Sequence, residues 1–306
     1  MVNLTVTFLG TSSAAPTKSR GLPAIAIQRE GEVILMDCGE GVQRQVMTAG
    51  IGLNRPTTIL ITHLHGDHVT GLLGLLQTMG MAQRSRPLTV VGPSALSKWL
   101  EVTSRLLNIG LTFELHFVKA RAGAVYRTQD FDIRAARADH SVESYAYLVR
   151  EKPRPGTFYP QKARRLGIPE GKLWSRLQKG RKISLNGKTI QPSQVVGPQR
   201  PGRSIGYSGD TRPSARLARF FSSCDLLIFD STYLERDRDK AVDRKHSTAG
   251  EAAVLAKKAR AKRLVLTHFS ARYQNASALV KEARGVFPNA IAAHDGMTVE
   301  VGYPDS

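Results

Sequence analysis

Five short apolar runs in this chain each break off at an aspartate or a histidine. Val33-Ile34-Leu35-Met36 is followed by Asp37, Ile59-Leu60-Ile61-Thr62 by His63, and Ile205-Gly206-Tyr207-Ser208-Gly209 by Asp210. Leu226-Leu227-Ile228-Phe229 is followed by Asp230, and Leu264-Val265-Leu266-Thr267 by His268. Short runs rich in Ile, Leu and Val, bounded by polar turns, read as strands covered on both faces. Neighbouring strands that carry their polar residue at the same end bring those residues together along one sheet edge. The chain is therefore expected to build its site by long-range folding rather than from one local motif.

The second run is followed by the densest chemistry. His63-Leu64-His65-Gly66-Asp67-His68 places three imidazoles and a carboxylate in six positions. These are ligand types suited to Zn²⁺ and similar borderline metals. His63 and His65 are two apart and point the same way from an extended chain. Asp67 and His68 are adjacent and diverge, which suits a second ion beside the first. A lone histidine at a strand end is ordinarily a capped or surface residue. Four such groups crowded behind a buried strand would cost desolvation and repulsion for nothing if they bound no metal. Three more positions sit in similar contexts: His140 after the strand pattern Phe131 to Ala138, Asp210 after Gly209, which lets the backbone turn sharply, and His268.

Helical patterns lie between the strands. Gly71 to Arg84 reads as a core-packing helix, Pro93 to Leu107 carries Leu96, Leu100 and Leu107 on one face, and Thr248 to Arg263 is a strong helix former. Leu111, Phe113, Leu115 and Phe117 alternate, which leaves His116 on the polar face as a surface histidine. No repeat of fixed period is visible. The pattern is that of an α/β fold with two mixed sheets and helices outside.

A chain of 306 residues with 41% hydrophobic content can bury a sizeable core. Leu4 to Leu9 enters a strand pattern at once, without an apolar signal core or a run long enough to span a membrane, so a soluble cytosolic protein is expected. Cys38 and Cys224 are isolated, which fits a reduced protein without a disulfide framework. The net charge of +19 is abnormal for a metabolic enzyme. It points to nucleic acid or an anionic membrane surface, or to solvation alone. The charge is concentrated: from Arg150 to Arg203, fourteen Lys or Arg against Glu151 and Glu170 leave +12. Phe158, Tyr159 and Trp174 lie among them, and the broken apolar pattern reads as an extended excursion from the core. Basic residues interleaved with aromatics favour a surface that grips phosphates over a merely solvated loop.

The spacing His-x-His-x-Asp-His resembles the signature of the metallo-β-lactamase superfamily. Further motifs narrow this: Phe8-Leu9-Gly10-Thr11 with Pro16-Thr17-Lys18-Ser19-Arg20, Asp37-Cys38-Gly39-Glu40-Gly41, Gly209-Asp210-Thr211-Arg212, Lys245-His246-Ser247-Thr248, Thr267-His268-Phe269-Ser270-Ala271-Arg272-Tyr273 and Ala293-His294-Asp295. In this order, across nearly the whole chain, they resemble the ribonuclease Z family of tRNA 3′-processing endonucleases. The resemblance implies a metallo-β-lactamase αββα sandwich of two mixed sheets with outer helices. It implies a single domain over residues 1–306, with residues 150–195 inserted as a protruding, flexible tRNA-binding arm whose tip is Ile168-Pro169-Glu170-Gly171-Lys172 to Gly180.

The same resemblance implies two Zn²⁺ per subunit, with Mn²⁺ or a similar ion able to substitute. His63, His65 and His140 would hold one ion and Asp67, His68 and His268 the other, with Asp210 bridging. Asp67 would also orient or deprotonate the nucleophile. His246 would donate a proton to the departing 3′ oxygen or stabilise its charge; the plainer reading is a helix-start histidine beside a Ser247 cap. Asp37, Asp230 and Asp295 are expected around the ligands rather than among them, and His294 is incidental. The Pro16-to-Arg20 loop is implicated in sensing the tRNA 3′ end, and continues here with Gly21 where the family pattern has Asn. The implied activity is that of a cytoplasmic, homodimeric endoribonuclease acting on precursor tRNA. It would cut 3′ of the discriminator nucleotide, leaving a 3′-hydroxyl on the tRNA and a 5′-phosphate on the trailer, with the arm of one subunit serving the other's site. The alternative on the same fold is a hydrolase of small esters or cyclic phosphodiesters, which has no use for the +12 segment. A third reading, an RNA-binding protein with a dead metal site, is opposed by the intact set of seven ligands.

Overall fold

The apolar runs form strands of two seven-stranded sheets in a computed structural model that describes residues 2–55 and 57–303. From edge to edge, the first sheet runs Thr298–Glu300, Leu4–Gly10, Ala24–Arg29, Glu32–Met36, Thr57–Leu60, Leu88–Gly92 and Leu115–Lys119. The second runs Ala290–Ala292, Leu264–Thr267, Leu226–Asp230, Ser204–Tyr207, Tyr145–Glu151, Phe131–Arg137 and Gly123–Arg127. Both are mixed. In the first, Glu32–Met36 is antiparallel to Ala24–Arg29 but parallel to Thr57–Leu60. In the second, Ser204–Tyr207, Leu226–Asp230 and Leu264–Thr267 are all parallel.

Alternate residues of these strands go to different layers, as the two-residue period requires. Val33, Leu35, Ile59 and Ile61 pack with Leu72, Leu75, Leu76 and Met79 of the helix Gly71–Met81. On the second sheet, Leu227, Phe229, Leu264 and Leu266 pack with Ala252, Ala253 and Ala256 of the helix Ala249–Ala259. The intervening Ile34, Met36, Leu60, Ile228 and Val265 are also fully buried, which is why the runs are continuous rather than alternating. The sheets are tied to each other by polar contacts: the Tyr147 hydroxyl donates to the Ile61 carbonyl at 2.8 Å, and the Tyr145 amide to the Thr62 carbonyl at 3.0 Å. The result is the αββα sandwich implied by the sequence.

Two expectations change. The helix Leu96–Leu106 buries Leu96 and Leu100 but ends before Leu107, which lies outside its last turn and is exposed. Residues 150–202, together with 129–131, form a compact unit rather than an extended excursion. It holds the helices Pro160–Arg165 and Lys172–Gln178 and the hairpin Ile183–Leu185 with Lys188–Ile190. Asn186 and Gly187 both have positive φ, the geometry of a tight two-residue hairpin turn. Ala163, Ile168, Leu177, Ile183, Ile190 and Val195 make its core, and Phe158 and Trp174 pack against it. These apolar positions fall on two short helices, a hairpin and a turn, so no single period links them. Among the described residues, no helix is long and apolar enough to cross a membrane.

Candidate metal centre

Parallel pairing sets the site. Met36 lies opposite Leu60, so Asp37 and the segment from Ile61 to His68 leave the first sheet at one end. In the second sheet Asp230 lies opposite Thr267, so Asp210, Asp230 and His268 likewise follow the carboxyl ends of adjacent strands. Such an edge is where open α/β sheets place their ligands. Asp37 and His268 take positive φ at the turn out of their strands, a conformation held at a cost by the surrounding structure. Gly209 does so as well, and a Cβ there would meet the Thr62 side chain at 2.8 Å.

The side chains form two groups sharing Asp210. In the first, His65 Nδ1 lies 3.1 Å from both His63 Nε2 and His140 Nε2, and Asp210 Oδ2 is 3.6 Å from His63 Nε2. In the second, His68 Nε2 is 3.2 Å from His268 Nε2, Asp67 Oδ2 is 3.6 and 3.5 Å from these nitrogens, and Asp210 lies 3.3 and 3.2 Å from them. His140 Nδ1 is 3.0 Å from the Lys245 carbonyl. A carbonyl only accepts, so His140 carries its proton on Nδ1 and turns a bare Nε2 to the centre. Burial pushes the pKa of His63, His65 and His140 down, so these rings are neutral. One proton on His65 Nδ1 can serve only one of its two neighbours at a time, whereas a cation among the three nitrogens serves all of them. Burial also disfavours charge on Asp210, but His268 and His68 outweigh it and hold its carboxyl well below the usual range. Among the described residues, its Oδ1 is buried without a hydrogen-bond partner. Three neutral imidazoles in the first group, an orphaned carboxylate oxygen and a second carboxylate make a donor set that fits a divalent metal.

A further grouping, of Asp210, Asp230, His246 and His268, also lies within ligand distance. It does not fit a metal, because Asp230 is already saturated. Its Oδ1 accepts from the Thr232 amide and hydroxyl at 3.0 and 2.7 Å, and its Oδ2 from the Thr211 amide at 3.1 Å, with His246 Nδ1 at 3.0 Å. His246 thus stands beside the donors, its ring centroid 5.3 Å from that of His140 and 5.2 Å from that of His268. Its neighbour Ser247 does not cap the following helix. The Ser247 hydroxyl donates to the Thr211 carbonyl, while Thr248 is the cap, in a reciprocal arrangement with Glu251. Glu251 also pairs with Arg212, whose guanidinium donates to the His246 carbonyl.

All seven residues expected as ligands, and His246, are thereby brought together. Asp37 and Asp230 lie against the histidine rings, as expected. Asp295 does not: it accepts from the Gly21 amide at 2.6 Å and the Thr11 hydroxyl at 2.8 Å, tying down the loop that precedes Gly21. His294 is exposed, with its Nδ1 3.1 Å from the Asp295 carbonyl and its own carbonyl accepting from the Met297 amide at 3.0 Å. Sequence reading missed Thr62, Thr232, Tyr207 and the Ala14 amide, which donates to Asp67 Oδ2 at 2.9 Å. The signal for the threonines was their place at strand ends beside Asp230 and His63, which acquires meaning only once the rings are positioned.

Comparison with known proteins gives the family. Residues 4–153 match the family described as Anti-Pycsar protein Apyc1, and residues 180–269 the Beta-lactamase superfamily domain. The chain is 47% identical over 294 residues to a ribonuclease Z of Nitrosopumilus maritimus, covering 96% of this chain and 98% of that protein. It is 42% identical over 301 residues to a ribonuclease Z of Methanosarcina acetivorans, covering 98% and 99%. Among solved structures, the short form of human tRNase Z superposes with a TM-score of 0.72 at 29% identity, over 97% of this chain and 99% of that one. The metallo-β-lactamase fold protein YhfI of Bacillus subtilis superposes at 0.71 with 19% identity over 98% and 100%, a likeness of fold. At this identity over nearly the whole length of both proteins, the chain belongs to the ribonuclease Z family of endoribonucleases.

Proposed function

We propose that the chain matures the 3′ end of precursor tRNA as a zinc-dependent phosphodiesterase with two ions per subunit, for which Mn²⁺ can substitute. The cut falls 3′ of the discriminator nucleotide and leaves a 3′-hydroxyl on the tRNA and a 5′-phosphate on the trailer. The observation that carries this reading is the convergence of seven donors on two positions that share Asp210. His63, His65 and His140 would hold one ion and Asp67, His68 and His268 the other, with Asp210 within reach of both. When bound, two such ions activate water at neutral pH and neutralise charge on the phosphoryl group.

Asp67 and His246 do the proton work. Burial pushes the Asp67 carboxyl up, but His268 and His68 outweigh it and hold it well below the usual carboxylate range. It is therefore an acceptor at neutral pH, fixed by the Ala14 amide, and orients the nucleophilic water or takes its proton. Burial opposes charge on His246, but Asp230 and Asp210 outweigh it and raise its pKa to about 9. The ring thus holds a proton to give to the 3′ oxygen as the bond from phosphorus to that oxygen breaks.

The substrate follows from the relatives' names and from the +12 segment, which a small-molecule hydrolase would not need. Residues 150–195 act as a tRNA-gripping arm that reaches the partner subunit of a homodimer. Exposed Met47, Met81, Leu106 and Leu107 offer apolar surface for subunit contact. Cys38 and Cys224 are both buried thiols, which fits a reducing cytoplasm. Metal analysis tests the centre directly. The remetallated protein should hold two ions per subunit, and His140→Ala and His268→Ala should each lose one ion and most turnover. One ion or none in the parent contradicts the reading.

A further inference from the structure

Of the five histidines proposed as ligands, four have their Nδ1 held by a group outside the ligand set, in two different ways. His68 and His140 face obligate acceptors, the Asp37 carboxylate at 2.8 Å and the Lys245 carbonyl at 3.0 Å. His63 and His268 instead face threonine hydroxyls: Thr62 Oγ1 is 2.9 Å from His63 Nδ1, and Thr232 Oγ1 is 2.8 Å from His268 Nδ1. A hydroxyl both donates and accepts, so by itself it cannot choose a tautomer.

Each of these hydroxyls is also bound to a buried carboxylate. Thr62 Oγ1 lies 3.0 and 2.9 Å from the two oxygens of Asp37, and Thr232 Oγ1 lies 2.7 Å from Asp230 Oδ1. Backbone amides donate to the same carboxylates: Thr62 to Asp37 Oδ1, and Thr232 and Thr211 to the two oxygens of Asp230. The Tyr207 hydroxyl adds a donor to Asp37 at 2.8 Å. Surrounded by donors, these carboxylates act as acceptors, and the one hydroxyl proton of each threonine goes to them.

We propose that Thr62 and Thr232 are positioning residues whose hydroxyls, committed to Asp37 and Asp230, oblige His63 and His268 to carry their protons on Nδ1 and present bare Nε2 atoms to the metals. This rests on the metal-centre reading above. It also makes each carboxylate a hub that spans the centre. Asp37 serves His68 directly and His63 through Thr62, one ligand of each metal position. Asp230 serves His246 directly and His268 through Thr232, joining the proton donor to the second position. The two hubs come from the two sheets, so the ligand geometry depends on their packing.

The test replaces each threonine by valine, which keeps the shape and removes the hydroxyl, and by serine, which keeps the hydroxyl. Zinc affinity is measured by chelator competition, and histidine tautomers are read from ¹⁵N–¹H correlations of the zinc-loaded protein. The valine variants should bind zinc about 10- to 100-fold more weakly, as expected on losing a partner that orients a ligand. Serine should restore most of the affinity and the Nδ1–H pattern of His63 and His268. Urea midpoints of the metal-free proteins identify any valine variant that fails to fold, in which case the serine variant decides: a folded serine variant that loses zinc affinity or the Nδ1–H pattern of His63 and His268 would overturn the proposal. Valine variants that keep parental affinity and parental tautomers would overturn it as well. A parent that takes up no zinc would instead remove the metal-centre reading, and the proposal with it.

Discussion

In the proposed reaction Asp67 and His246 are opposite things at the same pH, an acceptor and a donor, and their surroundings push their pKa values in opposite directions. Asp67→Asn keeps the shape but removes the basicity. Turnover on precursor tRNA should fall at least about 10²-fold, the usual contribution of a positioned base, while the Kd for RNA stays near the parent's. Near-parental turnover would remove Asp67 from the chemistry. His246 can be followed by NMR titration of the metal-free protein, where it should titrate near 9, and Asp230→Asn should move it down. The sign of the linked stability follows. A folded pKa above the unfolded value of about 6.5 stabilises the protein below that value, and the contribution is lost as pH rises through about 9. Metal-free protein should therefore lose stability between neutral pH and about 9, and Asp230→Asn should flatten that slope. The cluster His63 to His68 was legible because six consecutive positions hold four donors. The threonine hydroxyls were not, since what a hydroxyl bonds is decided by neighbours brought in from elsewhere in the chain.

At the scale of elements, the parallel strand ends do the assembly, and close backbone approaches hold them. Gly71 opens the helix that follows the ligand segment, and a Cβ there would meet the Gly39 carbonyl oxygen at 2.1 Å. Gly71→Ala must push that helix off the loop after Asp37. It should cost about 1–3 kcal/mol in urea unfolding, the range for overpacking, and should weaken zinc binding. An unchanged midpoint would mean that the approach is looser than the structure shows. The strands were readable because burial on both faces makes continuous apolar runs. Helix limits were less so: Ser247 and Thr248 are both good cap residues, and only the reciprocal bond with Glu251 selects Thr248. The core of residues 150–202 escaped notice because its apolar side chains are spread over elements too short to show a period.

For the whole molecule, the proposed preference for tRNA rests on the basic unit of residues 150–202. Arg154 and Arg200 exchange backbone hydrogen bonds at 2.8 and 3.0 Å, so a two-residue Gly-Ser turn can replace residues 155–199 with little loop cost. The deletion removes nine Lys or Arg and one Glu but none of the seven ligands. It should leave hydrolysis of a small activated phosphodiester near the parent rate. On precursor tRNA, kcat/KM should collapse mainly through KM, because binding common to ground and transition states is lost. The salt dependence should flatten by roughly 0.7–0.9 in log–log slope per lost phosphate contact. Unchanged tRNA cleavage with an unchanged slope would put the small-phosphodiester reading first.

The most direct measurement of the central claim is the chemistry of both new ends when metal-stripped protein is given precursor tRNA with and without added Zn²⁺. The predicted result is a single zinc-dependent cut after the discriminator nucleotide, with a 3′-hydroxyl on the tRNA and a 5′-phosphate on the trailer. A 2′,3′-cyclic phosphate on the tRNA, or cleavage indifferent to zinc, would contradict it.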